Sequence, residues 1–307
     1  MKKLIIDTDA GVDDAQAILL AFGQQNVEIV AFTTVNGNVD VDKTTANVLK
    51  VLDVAKKDVP VYRGCEKPLI AEPIHASYVH GQDGLGDCGI PASKRQPEKK
   101  HAVLALIDLA AANPGEISLV AIGPLTNLAA ALQIDPDLPG KFADLTIMGG
   151  AIFGKGNTNI MAEFNIFGDP EGARVVFERW PKIRVLSWET TMAHVFTKTD
   201  LGRFFALNTP KSAFFQKTNQ IILNFVRSLM NTDLLFAPDG LAVAAAIDPT
   251  LITKKETHYM SVETGGLQSR GFTYVDWMDS SGKQANAEII LEIDQARFVQ
   301  MMGDGLR

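Results

Sequence analysis

The stretch that most constrains this fold lies near the start of the chain, 4-LIIDTDAGVDDAQAILLAF-22. An apolar run predicts a buried strand, a glycine permits a tight turn, and a helical pattern of apolar residues follows. Four carboxylates lie in or beside this turn, at Asp7, Asp9, Asp13 and Asp14. Because like charges at contact distance repel one another, their crowding predicts a cation among them. The alternative is that Asp13 only caps the helix and the other carboxylates face solvent.

The composition is that of a globular protein. The chain has 307 residues, of which 46% are hydrophobic, and we expect one domain spanning residues 1–307. A formal charge of −7 and a pI near 5.3 disfavour nucleic acid as a partner. No apolar run reaches the length of a membrane span, so no membrane partner is expected. Cys65 and Cys88 lack a CxxC spacing and indicate reduced thiols, which predicts a cytoplasmic protein.

Buried strands and helices alternate along most of the chain. This pattern predicts an α/β fold with an open, mostly parallel central sheet, a Rossmann-like core with surrounding helices. The last strand-like runs predict a small antiparallel C-terminal extension. The predicted parallel strands include 27–35, 59–64, 117–123, 144–151 and 183–188, and those of the extension are 258–264, 272–277 and 286–293.

Two segments interrupt the alternation. Residues 64–98 are rich in Gly, Pro, His and Asp, and we interpret them as a loop over the site, since long connections in compact domains are usually functional. Residues 199–231 are mostly helical in pattern. They predict either a flap or an oligomer surface, and the sequence does not decide between the two.

Polar side chains recur where the predicted strands end. In an open α/β sheet, such residues converge on one crevice. Their ligand atoms are almost all oxygen, which favours Ca²⁺ over Mg²⁺ and excludes zinc. Amides beside a metal suit the vicinal hydroxyls of a sugar. The residues are Asp7, Asp9, Asp13, Asp14, Asn38, Thr126, Asn157, Glu163, Asn165 and Asp239.

Six separated motifs resemble those of the calcium-dependent nucleoside hydrolases, the inosine-uridine preferring type. The opening DTDAGVDDA is similar to the family's DxDPGxDDA motif. The resemblance extends along nearly the whole chain and implies a small-molecule nucleoside substrate and a homodimer or homotetramer. The other matching segments, in the family's order, are 36-NGN-38, 123-GPLTN-127, 149-GGA-151, 157-NTNIMAEFN-165 and Asp239 before an LAVA helix.

The resemblance also implies roles for individual residues. Ca²⁺ and the attacking water would be held by Asp9, Asp14, Asp239 and the backbone carbonyl of Thr126. Asp13 would take the proton of that water, and Asp7 would support the cluster from behind. The ribose hydroxyls would be bound by Asn38, Asn157, Glu163 and Asn165. The implied reaction is hydrolysis of a ribonucleoside N-glycosidic bond through an oxocarbenium-like transition state.

The chain departs from the family pattern in two places. Ala10 replaces the usual proline of the opening motif, which is a mild change. Pro238 replaces the histidine that protonates the leaving base in many members. Proline has no donor, and losing a general acid removes about 10²–10⁴ in rate.

Three residues are candidates for contacting the base instead. His80 lies where the family often carries a histidine in an HGxxG loop, and we predict a catalytic role for it. Trp188 ends a predicted strand and Glu189 follows it, and both are predicted substrate contacts, with a supporting role as the alternative for Glu189. His75, Tyr78 and His194 are weaker candidates, each expected to be a packing or surface residue.

Two other functions fit parts of the sequence. A haloacid-dehalogenase-type phosphatase also begins with a strand ending in DxD, but it requires Thr or Val where this chain has Gly11 and lacks the Asp13–Asp14 pair. A nucleoside or ribose sensor could keep the site while lacking the acid at Pro238. Release of free base, release of phosphate, or binding without turnover distinguishes the three.

Overall fold

A mostly parallel eight-stranded sheet forms the centre of the protein. The computed structural model describes residues 1–307, and its ten strands divide into this sheet and a separate two-stranded ribbon. The strands are β1 (Lys2–Thr8), β2 (Val27–Thr34), β3 (Val61–Arg63), β4 (Ile117–Ala121), β5 (Asp144–Met148), β6 (Ile183–Leu186), β7 (Ile252–His258), β8 (Met260–Val262), β9 (Thr273–Val275) and β10 (Ala287–Ile293).

The order of the strands creates a crevice beside β1. The sheet runs β3-β2-β1-β4-β5-β6-β10-β7, and every pair is parallel except β10 with β7. The chain direction across the sheet reverses between β1 and β4, because β2 and β3 lie on one side and β4 to β6 on the other. Ligands of open α/β sheets bind outside the carboxyl ends of the strands at such a reversal.

Thirteen α-helices surround the sheet. They are α1 (Val12–Phe22), α2 (Val41–Ala55), α3 (Ser77–His80), α4 (Ala102–Ala112), α5 (Thr126–Ile134), α6 (Phe164–Gly168), α7 (Pro170–Arg179), α8 (Trp188–Ala193), α9 (Lys198–Phe205), α10 (Pro210–Thr218), α11 (Gln220–Met230), α12 (Pro238–Ile247) and α13 (Gln295–Gly305). None of these helices combines the length and the apolar composition that a membrane crossing requires.

The two faces of the sheet are covered by two separate hydrophobic clusters. Side chains alternate along β1, so that Leu4 and Ile6 enter one cluster and Ile5 enters the other. Helices α1 and α12 pack against each other within the larger cluster, and every residue of α12 is buried. Both helices therefore begin at fixed positions beside the carboxyl end of β1.

The predicted fold class is confirmed, with local differences. Residues 286–293 were assigned to the extension, but β10 pairs in parallel with β6 and extends the main sheet. The exposed edge strand β7 was not predicted, because its ITKKETH sequence has no buried apolar face. Only β8 and β9 form a separate antiparallel pair. The loop 64–98 contains α3, which ends at His80, and Trp188 is the first residue of α8 rather than part of a strand.

Candidate active site

The turn from β1 into α1 brings its carboxylates against the segment that follows β2. Gly11 makes this approach possible, since a Cβ atom there would lie 2.6 Å from Asn38 Nδ2 and 2.7 Å from His80 Nδ1. A Cβ atom at Gly37 would lie 2.1 Å from Asp9 Oδ2. Both glycines are therefore required by close packing around the carboxylates.

Three carboxylates meet at the start of α1 and α12. Ligand atoms of Asp13, Asp14 and Asp239 all lie within 4.8 Å of one another. Asp14 is held in place because its Oδ2 accepts hydrogen bonds from Gly11 N at 2.7 Å and Asn38 Nδ2 at 3.3 Å. Asp13 accepts from Asp14 N at 3.2 Å. The group has the spacing that a single metal ion needs.

Asp9 lies beside this group with one oxygen free of protein partners. Its Oδ2 accepts a hydrogen bond from Asn38 N at 2.8 Å. Its Oδ1 is buried and has no hydrogen-bond partner. A buried carboxylate oxygen without a donor is costly, and a cation would satisfy it. The orphaned oxygen thus fits the predicted metal-binding role of Asp9.

The pKa values of these aspartates are shifted in the direction that the crowding of their carboxylates predicts. Burial, and then repulsion from neighbouring aspartates, raises the pKa of Asp9 and of Asp239 well above the ordinary value. Burial and the charge of Asp13 raise the pKa of Asp14 to about 7. The carboxylates resist ionising together, so the donor set fits a hard divalent cation that neutralises them.

Asp7 lies near the end of β1, where it links β2 to the start of α5. Its Oδ2 accepts hydrogen bonds from Thr33 Oγ1 at 2.5 Å and Asn127 Nδ2 at 2.8 Å. Burial raises its pKa to about 7, although both hydrogen bonds oppose the shift. The side chain does not line the cavity. This placement is the one expected of a supporting residue.

Thr126 is the first residue of α5. Its hydroxyl donates to Asp169 Oδ2 at 2.6 Å, and Asp169 also accepts from Leu69 N at 3.2 Å and Gly172 N at 3.0 Å. This buried carboxylate therefore ties the start of α5 to the start of α7 and to the loop 64–98. No local sequence pattern links Asp169 to Thr126 or Leu69, so the sequence does not predict this interaction across the fold.

A cavity of about 390 Å³ opens above the carboxylates. The polar side chains lining it come from separate parts of the chain, and six of the ten residues predicted to converge are among them, whereas Asp7, Asp9, Asp14 and Thr126 do not line the cavity. The individual roles stay predictions. The polar lining of the cavity consists chiefly of Asp13, Asn38, Asn157, Glu163, Asn165 and Asp239.

The predicted ribose-binding residues are held by the backbone. Glu163 accepts hydrogen bonds from the backbone N–H groups of Asn165 at 2.9 Å, Gly150 at 2.9 Å and Ile166 at 3.2 Å. Burial nevertheless raises the pKa of Glu163 to about 7. Asn165 Nδ2 donates to the carbonyls of Ile122 and Met148, both at 3.2 Å. Its Oδ1 remains free for a ligand hydroxyl.

Asn157 is anchored in the same way. Its Oδ1 accepts from Phe164 N at 2.9 Å, which leaves the Nδ2 donors without a protein partner. The four predicted residues thus present fixed acceptors and donors, and fixed polar groups of this kind determine the orientation of a small ligand.

His80 lines the cavity beside Asp13. Its Nδ1 accepts a hydrogen bond from Val12 N at 3.2 Å and lies 3.6 Å from Asp13 Oδ1. Accepting at Nδ1 places the ring proton on Nε2. Burial lowers the pKa of His80, with the charge of Asp13 opposing the shift. The residue is therefore a neutral imidazole with one N–H donor available to a ligand.

Of the two other base candidates, only one lines the cavity. Trp188 lines it and packs against Phe236 with ring centroids 5.8 Å apart. Glu189 points away, because its carboxylate accepts from Ile152 N at 3.0 Å and Phe153 N at 2.8 Å. The predicted substrate contact of Glu189 is therefore not supported, and its alternative supporting role fits.

The weaker candidates also have clear positions. His194 is buried, with Nδ1 against Thr190 O at 2.8 Å and Nε2 accepting from Ile293 N at 3.1 Å, so it is a packing residue. His75 Nδ1 contacts Gly37 O at 2.9 Å. Tyr78 lines the cavity but is 58% exposed.

Helix α11 forms much of the remaining wall, which sequence reasoning did not assign. The sequence of 199–231 predicts a flap or an oligomer surface. The apolar residues of α11 recur at helical spacing, a pattern that indicates one apolar face but not what it covers. The cavity-lining residues of this face are Ile222, Phe225, Val226, Leu229 and Met230.

Comparison with known proteins shows the family of the chain. Residues 4–300 match the family model described as inosine-uridine preferring nucleoside hydrolase. The inosine-uridine preferring nucleoside hydrolase of Crithidia fasciculata is 32% identical, with 99% of this chain and 97% of that protein covered. The pyrimidine-specific ribonucleoside hydrolase RihA of Salmonella arizonae is 34% identical, with 99% and 98% covered.

A solved structure is equally similar. The structure titled inosine-guanosine nucleoside hydrolase superposes with a TM-score of 0.92 at 35% identity and covers 99% of this chain and 98% of its own. The fold and site thus define an N-ribohydrolase, an enzyme that hydrolyses the N-glycosidic bond of ribonucleosides. The chain belongs to the inosine-uridine preferring nucleoside hydrolase family. Membership of this family favours a nucleoside hydrolase over the two alternatives, a nucleoside sensor and a phosphatase.

Proposed function

We propose that the enzyme is calcium-dependent and that Asp13 is its general base. The observation that carries this proposal is the meeting of Asp13, Asp14 and Asp239, of which Asp13 and Asp239 line the cavity, beside the orphaned oxygen of Asp9. Incubation with a panel of purine and pyrimidine nucleosides and Ca²⁺, with free base and ribose measured, tests it. Binding without release of base would contradict it.

The proposed metal ligands are Asp9, Asp14, Asp239 and the backbone carbonyl of Thr126. Carboxylate and carbonyl oxygens in this number suit Ca²⁺, which takes 6–8 oxygen ligands and leaves room for water and two hydroxyls. When bound, Ca²⁺ would lower the pKa of the attacking water and fix the positions of the ribose hydroxyls.

Asp13 accepts the proton of the attacking water. Its side chain is 15% exposed and lines the cavity, whereas Asp14 is buried behind it. The hydrogen bond from Asp14 N orients the Asp13 carboxylate. A water that attacks the anomeric carbon directly gives ribose with inverted configuration.

The remaining polar residues bind and stabilise the ribose. Asn38, Asn157, Glu163 and Asn165 surround the cavity with amide and carboxylate groups that suit its hydroxyls. The transition state carries positive charge on the ring, so the nearby carboxylates and amide oxygens stabilise it more than the ground state.

His80 is proposed to donate its Nε2–H to the bound nucleoside. We expect His80→Ala to lower kcat/KM for nucleoside hydrolysis by about 10–10², the cost of one buried hydrogen bond. His80→Gln retains an N–H donor at a similar reach and should recover part of the rate. If His80→Ala hydrolyses inosine and uridine at the wild-type rate, His80 does not donate a hydrogen bond that matters for the reaction.

Metal removal should destabilise the protein in a pH-dependent way. The pKa of Asp14 is about 7 in the fold and those of Asp9 and Asp239 are also raised, whereas an unfolded aspartate has a pKa of about 3.9. The folded state therefore holds protons that the unfolded chain releases, and the metal-free protein loses stability as pH rises from about 4 to about 7 and above.

Calcium binds the ionised carboxylates, so its effect should increase over the same pH range. We expect the gain in Tm on replacing EDTA by Ca²⁺ to be greater at about pH 8 than at about pH 5.5, measured by differential scanning fluorimetry. Equal gains in Tm at the two pH values would argue against a metal site made of carboxylates. A larger gain in Tm with Mg²⁺ than with Ca²⁺ would indicate that Mg²⁺ is the ion.

We further propose a single cytoplasmic domain over residues 1–307 that releases bases for salvage and assembles as a homodimer or homotetramer. The free thiols of Cys65 and Cys88 support a reducing compartment. Exposed apolar side chains at Phe153, Ile160 and Met278 support an oligomer.

A further inference from the structure

The side of the cavity formed by α8, α11 and the segment before α12 is almost entirely apolar, and the base of a bound nucleoside would face it. We call this the base wall. Pro238 lines the cavity next to it and has neither a side-chain nor a backbone donor. An N-glycosidic bond to a neutral base breaks readily only if the departing base gains a proton. The base wall consists of Trp188, Met192, Ile222, Phe225, Val226 and Phe236.

His80 does not supply that proton. Because Nδ1 accepts a hydrogen bond from Val12 N–H, the ring carries its single proton on Nε2. A neutral imidazole can donate this proton in a hydrogen bond, but transferring it would leave an imidazolate, which is far too basic to form near neutral pH. His80 can therefore donate a hydrogen bond to a bound substrate without acting as an acid.

The other groups that line the cavity are also unsuited to this task. Both oxygens of Glu163 accept backbone N–H groups, so the carboxylate is held as an acceptor. Asp13 receives the proton of water, and Asp239 is a proposed metal ligand. Tyr78 packs on Phe225 with ring centroids 6.0 Å apart and is mostly exposed, and its phenol is a weak acid. The amide, hydroxyl and indole donors do not ionise.

We propose that the preferred substrates are N-ribosides whose base carries a positive charge. The inference rests on the proposed hydrolysis and names the substrate class of the same site. Water attacks the anomeric carbon and its proton passes to Asp13, while the pair of electrons of the C–N bond moves to the cationic nitrogen. The base leaves as a neutral molecule, so no proton donor is needed.

The charges and rings of the cavity suit such a substrate. The aromatic faces of Trp188, Phe225 and Phe236 can bind a cationic base. As the bond breaks, the positive charge moves from the base to the ribose ring. It thereby moves towards the carboxylates of Asp13, Glu163 and Asp239, which stabilise the transition state. A base leaving as an anion would instead enter an anionic cavity.

The decisive experiment compares three ribosides with the calcium-loaded full-length enzyme. The probes are nicotinamide riboside, its uncharged reduced form as a control matched in size, and the neutral nucleosides inosine and uridine. We expect kcat/KM for nicotinamide riboside to exceed that for inosine and uridine by about 10² or more, since acid catalysis is typically worth about 10²–10⁴. Comparable values would overturn the proposal, as would equal hydrolysis of the reduced form.

A variant separates substrate preference from the intrinsic lability of cationic ribosides. Pro238→His places an imidazole at the start of α12, and we expect it to raise kcat/KM for inosine about tenfold or more while nicotinamide riboside changes little. Pro238→Ala removes the same ring without adding a donor and should not accelerate inosine. The proposal fails if Pro238→His accelerates neither substrate, or accelerates both equally. Either result would show that departure of the base does not limit the hydrolysis rate of neutral nucleosides.

A further substrate distinguishes failure of this inference from failure of the proposed hydrolysis. The leaving group of p-nitrophenyl riboside departs without protonation and can be followed by its colour. Hydrolysis of this compound without a preference for nicotinamide riboside would overturn the substrate class alone. Loss of all activity, including that on p-nitrophenyl riboside, would overturn the hydrolase mechanism itself.

Discussion

Replacing Asp13 by asparagine is expected to lower kcat by about 10²–10⁴ while leaving the metal and the fold in place. The carboxylate is the group proposed to take the proton of water, and general-base catalysis has this magnitude. Asparagine keeps the shape of the side chain and the Oδ1 that accepts from Asp14 N. Steady-state kinetics with the best nucleoside of the panel gives the result, with KM changing much less than kcat.

Asp13→Asn also distinguishes a base from a metal ligand. The calcium-dependent gain in Tm should persist in this variant, because the proposed ligands Asp9, Asp14 and Asp239 remain. Loss of that gain in Tm would indicate that Asp13 is a metal ligand, which is compatible with its closeness to Asp14 and Asp239. Retention of full kcat would show that another group takes the proton.

Asp239→Asn is expected to abolish calcium binding and hydrolysis together, and also to stabilise the metal-free protein. The wild-type carboxylate is buried against Asp13, Asp14 and Asp9, and this burial and repulsion raise its pKa well above the ordinary value. A neutral amide removes the repulsion and the desolvated charge. The Tm in EDTA should rise by a few degrees, whereas calcium should no longer raise it.

The matched control for Asp239→Asn is Asp137→Asn. Asp137 is exposed before the short helical turn at Leu138, away from the cavity. The same chemical change there should leave Tm, calcium response and kcat within error of the wild type, since surface substitutions rarely exceed about 0.5 kcal/mol. A fall in the EDTA Tm of Asp239→Asn would show that its carboxylate stabilises the metal-free fold instead.

The sequence predicted the parts of the site that depend on local pattern. A strand, a turn and a helix start could be recognised around Asp9 and Asp13, because buried strands and capped helices have short-range signals. The rule that strand ends converge then placed Asn38, Glu163 and Asp239 in one crevice, and the cavity contains all three. For these residues, the local sequence pattern and the order of the strands were sufficient to predict their place in the crevice.

Features that depend on a distant partner could not be predicted. The apolar face of α11 has the same pattern whether it covers a core, a partner or a ligand. Glu189 follows β6 as a substrate contact would, yet its carboxylate binds the backbone of Ile152 and Phe153. β10 joins the central sheet because it pairs with β6, about a hundred residues earlier, and no short-range signal specifies that pairing.

The packing of α1 against α12 has a consequence for biosynthesis. The proposed ligands Asp9 and Asp14 are synthesised long before Asp239, which lies in the first turn of α12. A nascent chain therefore has half a binding site and little affinity for the ion. The proposed ion can join the two helices only after α12 has been synthesised, so its binding would mark the point at which the proposed site is complete.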